Sequence, residues 1–250
     1  MNMPWDTLST EESARGRNSP DARQEGSAGL STALAGLFPP GVIGAELRIA
    51  GDLPPLLPDE AQHLGRAVSM RVQEFAAGRF CARRALAELG FTGYPLGMNS
   101  DRRPRWPPSV VGSITHTDGI CGAVVAEQRR FRAIGLDMEI VGRVTPEIWP
   151  YICTAEETAW LAGLGEPEQS RCAALIFSAK ETFYKCQYGV TRQWLEFDDV
   201  VLDLLSPGAS AGRFALRPRR RIALPEQDMP SGRFEFRGSL VVTGMALDAQ

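Results

Sequence analysis

The stretch Phe177-Ser-Ala-Lys-Glu-Thr-Phe-Tyr-Lys185 lies inside a strong amphipathic pattern that spans residues 171–188. Cys172, Leu175, Ile176, Ala179, Phe183 and Cys186 recur at helical spacing and form one apolar stripe. The segment therefore predicts a helix packed on a core and stopped by Gly189. Lys180, Glu181, Tyr184 and Lys185 occupy the opposite side, and Glu181 and Lys185, four apart, are juxtaposed by one turn. Solvated, salt-bridged faces are the commoner source of such pairs. These charges, however, ride on a firmly anchored helix, as a reacting constellation requires.

Upstream, Gly135-Leu-Asp-Met-Glu-Ile140 closes a strand expected over 133–140. Side chains two apart on a strand share a face, so Asp137 and Glu139 project together while Leu136, Met138 and Ile140 pack on the other side. Two carboxylates so placed suit Mg²⁺, which takes a few carboxylates together with water and substrate phosphates. Taken alone, the pair is more often a strand with its charges in water.

Gly112-Ser-Ile-Thr-His116 precedes it, between strands expected at 109–115 and 120–126 around the turn His116-Thr-Asp-Gly119. Hydroxyls and an imidazole at a turn can bind phosphate, and a purely structural turn histidine is an equal alternative. A helix over 59–89, closed by Gly90, carries Arg71 and Arg79 eight apart, close to one face. Arg102, Arg103 and Arg105 follow in a proline-rich loop over 95–109. Arginine's planar fork suits bidentate phosphate binding. Arg83 and Arg84 read as a solvated face, and His63 as a surface residue.

The remaining pattern mixes both element types. A strand is expected at 42–49, and Thr154 with Glu157 three residues on forms a capping box. Further strands are expected at 197–205, 212–216 and 232–247. Residues 1–28 are polar and without apolar period, which predicts a disordered tail. Phe75-Ala-Ala-Gly-Arg-Phe-Cys-Ala-Arg83 faintly echoes Phe177 to Lys185, with a basic residue eight positions after a Phe in both. Chance and an internal duplication explain that echo equally well.

With 250 residues the chain is long enough for one large domain or two lobes with a shared core. Its formal net charge of -3 argues against a dedicated nucleic-acid binder. The five cysteines include no CxxC pair, which argues against zinc sites or a disulfide framework and for a reducing, cytoplasmic compartment. No apolar run approaches the roughly 20 residues of a membrane span. No hydrophobic signal core opens the chain. A monomer is the working expectation.

Five motifs in order along 37–195 give the chain a specific likeness. They are the F-x-x-x-R-x-x-A-R helix of Arg79, the R-x-P-x-W-P loop from Arg102, Ser-Ile-Thr-His116, Gly-Leu-Asp-Met-Glu139 and Phe-Ser-Ala-Lys-Glu-Thr-Phe-Tyr-Lys185. Together they resemble the phosphopantetheinyl transferase superfamily, in its two-lobed type similar to enterobactin synthetase component D. The resemblance implies an α+β fold of two pseudo-twofold-related lobes, 29–133 and 134–250, with the active site in the cleft between them. It implies transfer of 4′-phosphopantetheine from coenzyme A to a serine of an apo carrier protein, releasing 3′,5′-ADP. Mg²⁺, with Mn²⁺ as a substitute, would sit on Asp137, Glu139 and Glu181. Arg71, Arg79, Arg102, Thr115 and His116 would grip the phosphates of the nucleotide end. Lys185 would contact the pyrophosphate, and Trp194-Leu195 would line the pantetheine path. Glu181 is the candidate acceptor of the serine proton, directly or through a metal-bound water. Lys185 would stabilise charge developing on the leaving group.

Two departures stand out. Val72 follows Arg71 where members often have consecutive basic residues, and the N-terminal tail has no counterpart. A hydrolase of nucleotide pyrophosphates would use the same carboxylates with water as nucleophile, and a non-catalytic subunit would bind coenzyme A alone. Retention of all three carboxylates and both lysines weighs against the latter. Siderophore, nonribosomal peptide and polyketide carriers remain alternatives for the acceptor.

Overall fold

Asp118 and Gly119 both take positive φ, 40° and 73°, the twist with which a two-residue loop joins antiparallel strands. They connect β3 (Val110–Thr117) to β4 (Ile120–Glu127), whose ladder starts at Thr117 opposite Ile120. The loop is thus shorter than expected. His116 stands on β3 opposite Cys121, not in the turn. In this computed structural model the described residues are 29–49, 53, 55–62, 69–204, 208–224 and 231–249; the expected tail and His63 lie outside them.

The first sheet has the order β1-β2-β4-β3, with β1 at Gly29–Leu30 and β2 at Ile43–Arg48. Helix α1 (Thr32–Ala35) links these two strands. The helix expected over 59–89 is described as α2 (Pro58–Ala61) and α3 (Ser69–Glu88), and residues 63–68 between them lie outside the described set. Beyond α3, Gly90 takes φ 87°. Strand β4 is buried almost throughout because both its faces are covered. Cys121, Ala123 and Val125 face α3, while Ile120, Val124 and Ala126 face the second lobe.

The second sheet, antiparallel throughout, begins at β5 (Phe131–Ile140). After α4 (Trp149–Ile152), α5 (Ala155–Ala162) and α6 (Glu168–Thr191) come β6 (Val200–Leu204), β7 (Ala211–Pro218), β8 (Ser231–Arg237) and β9 (Leu240–Asp248). The sheet order is β5-β9-β8-β7-β6. The strand expected over 232–247 is a hairpin, because Gly238 at φ 62° with Ser239 turns the chain between β8 and β9. The start of the 197–205 segment is a 3-10 turn, Phe197–Asp199, ahead of β6. Gly189 does not stop α6, which continues to Thr191 and ends where Arg192 takes the left-handed conformation at φ 57°. Helix α6 lies tightly on β5 at Gly135, where a Cβ would stand 2.1 Å from the Thr182 carbonyl oxygen.

The two lobes repeat one construction. Glu60 of α2 accepts the Leu57 N–H (2.9 Å), the Leu96 N–H (3.1 Å) and the Arg83 guanidinium from α3. Glu157 of α5 accepts the Thr154 N–H (2.8 Å), the Leu202 N–H (2.8 Å) and the Lys180 ammonium from α6 (2.6 Å). In each lobe a buried glutamate three residues into a short helix ties that helix to a long one and to a following segment. This structural repeat does not follow the register of the sequence echo: Arg83 plays the part of Lys180, not of Lys185. Arg83 is accordingly a buried-pair partner and not a solvated residue, its side chain being only 12% exposed.

Between the sheets lies a shared core that includes Leu34, Phe38, Val124, Leu136, Met138 and Val242. Two hydroxyls of β3 reach across to β5: Leu136 N–H donates to Ser113 Oγ (3.1 Å), and Thr115 Oγ1 donates to Asp137 (3.0 Å). Arg237 of β8 adds an ion pair to Glu46 of β2 at 3.1 Å. The architecture is two pseudo-twofold-related α+β lobes fused across this seam.

Candidate active site

Because Leu136 and Met138 are committed to the inter-lobe core, Asp137 and Glu139 face the opposite side of β5, where α6 packs. Asp137 is buried, and its Oδ1 accepts both the Thr115 hydroxyl and the Lys185 ammonium, the latter at 2.6 Å. Its Oδ2 is buried with no hydrogen-bond partner among the described residues. Lys185 Nζ also stands 4.0 Å from Glu181 Oε2. Burial alone would lower the Lys185 pKa, but Asp137 and Glu181 outweigh it and hold the ammonium above its ordinary value. Glu139, whose Oε1 accepts the Ile140 N–H at 2.7 Å, is pushed up to about 7 by burial and then by the neighbouring Asp137. Among the described residues no three such side chains converge into a ready-made metal cage. The three expected ligands are therefore neighbours arranged around Lys185.

A cleft of about 720 Å³ opens beside this group, between the lobes. Arg71, Arg79, Arg102, His116 and Lys185 all line it, together with Trp194. Arg79 is buried, with its guanidinium 4.2 Å from the Phe75 ring centroid. Its Nε has no partner among the described residues, and burial lowers its pKa to about 10. His116 is held below its ordinary pKa, by burial first.

Three expectations need correction. Thr115 does not line the cleft as its neighbours Ile114 and His116 do; its hydroxyl donates to Asp137 and so supports that carboxylate. Leu195 is buried in the second-lobe core with Ala179, Phe183 and Phe214, leaving only Trp194 of that pair on the cleft. Lys180 is not on the polar face. Its ammonium is buried and donates to the Ile152 carbonyl (2.9 Å), the Phe197 carbonyl (2.8 Å) and Glu157 (2.6 Å). Other cleft residues went unread. Glu74 is three residues after Arg71, and Tyr188 is four after Tyr184 with the rings stacked at 5.4 Å. Both spacings place a residue on the same helix face as a neighbour already singled out.

Comparison with known proteins decides the family. A family model described as the 4′-phosphopantetheinyl transferase N-terminal domain matches residues 59–126, and one described as the 4′-phosphopantetheinyl transferase superfamily matches 133–227. The 4′-phosphopantetheinyl transferase Svp of Streptomyces mobaraensis is 37% identical over 78% of this chain and 79% of its own length. The chain belongs to the 4′-phosphopantetheinyl transferase superfamily. A further relative, the 4′-phosphopantetheinyl transferase PptT of Mycobacterium tuberculosis, is 31% identical over 76% of this chain and 86% of its own. Enterobactin synthase component D of Escherichia coli K12 is 38% identical over 50% of this chain and 58% of its own. The two family models meet between Ala126 and Ala133, near where the first sheet ends at Glu127 and the second begins at Phe131. This transferase thus has its lobes matched separately. Among its described residues no helix is long and apolar enough to cross a membrane.

Proposed function

We propose that this transferase binds coenzyme A in the inter-lobe cleft and passes its phosphopantetheine to a carrier-protein serine with the help of a divalent cation held by Asp137, Glu139 and Glu181. One observation carries the reading: two buried polar atoms of opposite demand, Arg79 Nε and Asp137 Oδ2, have no partners among the described residues. The first calls for an anion and the second for a cation, and a metal-bound pyrophosphate brings both. The residues also fit a hard cation by type, since Glu139 is an oxygen donor whose charged form is penalised until a cation compensates it.

A bound Mg²⁺, or Mn²⁺ in its place, would neutralise pyrophosphate charge and orient the reacting phosphorus. Arg71, Arg79, Arg102 and His116 hold the nucleotide end, so that positioning and electrostatics carry the rate. The serine oxygen attacks the phosphorus bearing the pantetheine arm, and the bond to the adenylate side breaks to release 3′,5′-ADP. Glu181 takes the serine proton. Lys185, kept charged by Asp137 and Glu181, meets the negative charge that builds on the departing phosphate. The test is mass spectrometry of an apo carrier protein incubated with enzyme, coenzyme A and Mg²⁺. The carrier should gain one phosphopantetheinyl group. Hydrolysis of coenzyme A with no change in the carrier mass would overturn the transfer reading for that carrier and favour a pyrophosphate hydrolase.

The nucleotide grip makes a kinetic prediction. Arg79→Ala and His116→Ala should raise KM for coenzyme A more than they lower kcat. Each loses a charge-assisted hydrogen bond of about 1.5–3 kcal/mol, roughly ten- to a hundredfold in affinity. Wild type should prefer coenzyme A over its analogue lacking the 3′-phosphate, and the variants should lose that preference. Undiminished discrimination would remove both residues from that phosphate.

Glu139 makes a pH prediction. A cation can bind its carboxylate only after the proton leaves, and that proton is held until about pH 7. Apparent Mg²⁺ affinity should therefore climb as pH rises toward 7, by about tenfold per unit at the steepest, and level off above it. Calorimetric Mg²⁺ titrations of the 3′,5′-ADP complex across that range check this. A flat profile would take Glu139 out of the ligand set.

A further inference from the structure

Glu74 places a carboxylate where the cleft should be taking anions. It lies on α3 between Arg71 and Arg79 and lines the cleft with both arginines and with His116. Its Oε1 stands 3.7 Å from His116 Nδ1. We propose that Glu74 is a positioning residue for His116: it turns Nδ1–H toward itself, leaves Nε2 for a phosphate oxygen of the nucleotide, and stabilises the imidazolium that forms when that phosphate binds. The proposal rests on the reading of His116 as a phosphate ligand.

The surroundings of His116 explain why it needs such a partner. Arg71 and Glu74 face it from α3, Lys185 from α6 and Asp137 from β5. Burial is the largest influence and lowers the imidazole pKa, favouring the neutral form, with Arg71 and Lys185 acting in the same direction. Glu74 and Asp137 oppose them. Cys121, opposite on β4, stays a neutral thiol, because its contact with Cys81 and its burial raise its pKa. A neutral imidazole carries one N–H. Were that proton on Nε2, the Nδ1 lone pair would face the Glu74 carboxylate, an unfavourable contact. With the proton on Nδ1, the bare Nε2 repels a phosphate until it gains a second proton. A phosphate dianion provides the pull on one side, and Glu74 holds the other end of the ring, which fixes both tautomer and orientation. One proton is thus taken from solvent for each nucleotide bound, and no covalent bond changes.

The experiment uses the full chain with 3′,5′-ADP, and with 5′-AMP as the probe lacking the 3′-phosphate. The chain has only two histidines, so imidazole NMR shows two signals, and His116→Gln identifies one of them. In wild type, 3′,5′-ADP should raise the His116 pKa, and calorimetry in buffers of different ionisation enthalpy should report proton uptake near neutral pH. Glu74→Gln should abolish the uptake, leave His116 neutral in the complex and weaken 3′,5′-ADP by about tenfold. Glu74→Asp should restore part of each effect. Glu74 is partly exposed at the cleft, so these variants should melt as wild type does. If His116→Gln binds 3′,5′-ADP as wild type does, the reading of His116 fails. If His116→Gln weakens binding while Glu74→Gln keeps proton uptake or binds more tightly, Glu74 is only a repulsive neighbour and the proposal is overturned.

Discussion

Asp137→Asn should reduce transfer roughly a hundred- to a thousandfold, the scale on which removal of a preorganised electrostatic group slows such reactions. The asparagine keeps the shape of the side chain and an oxygen for the Thr115 and Lys185 donors, which now reach Oδ1 at 3.0 Å and 2.6 Å. It removes the charge that would bind a cation and that holds the Lys185 ammonium in place. It also replaces Oδ2, which has no partner among the described residues, with an amide nitrogen, which no hard cation accepts in its stead. The melting midpoint should fall less than in Lys180→Met, because the Lys185 side chain is 27% exposed and keeps Glu181 at 4.0 Å as a counter-charge. Calorimetry should show that Mg²⁺ no longer strengthens coenzyme A binding. Near-normal turnover by Asp137→Asn would exclude Asp137 as a cation ligand, whatever the other carboxylates do.

Lys180→Met should act on stability, in contrast to the modest electrostatic role that its place beside Glu181 suggests. Its ammonium is buried, and all three of its donors are used, on Glu157 and on two main-chain carbonyls. Methionine fills much of the same space but leaves the Glu157 carboxylate buried and short of its counter-charge. Breaking one side of such a pair costs about 3–5 kcal/mol. In a protein of this size each kcal/mol moves the melting midpoint by about 2–4 °C, so a drop of roughly 6–20 °C is expected. Lys180→Met with Glu157→Gln should recover part of the loss, because no uncompensated charge then remains. Turnover per folded molecule at low temperature should change little beside the Asp137 variant. A variant that melts like wild type yet fails to transfer would mean that Lys180 reaches the phosphates in the working enzyme.

Much of the scaffold and several site residues follow from local pattern. Alternation along β5 is enough to put Asp137 and Glu139 on one face, because Leu136 and Met138 need the other. The 3.6-residue period is enough to place α6 on a core and its charges together. The Thr154–Glu157 capping box is complete within four residues, and it forms as the sequence says. Turns proved harder, since one residue in the left-handed region ends a helix at Arg192 and passes over Gly189.

What local pattern leaves open is which of several like residues finds which distant partner. Lys180 and Lys185 have the same chemistry on one helix, yet one meets Glu157, 23 positions upstream, and the other Asp137, 48 positions upstream. Thr115 comes to support a carboxylate because β3 and β5 meet side by side, although the two residues are 22 positions apart in sequence. Leu195 is drawn into the core by the strands that arrive after it. Periodicity records only which side of an element faces away from water. The identity of what waits on that side is set when each lobe folds and the two close on each other, and burial then makes each pairing, or each missing partner, energetically decisive.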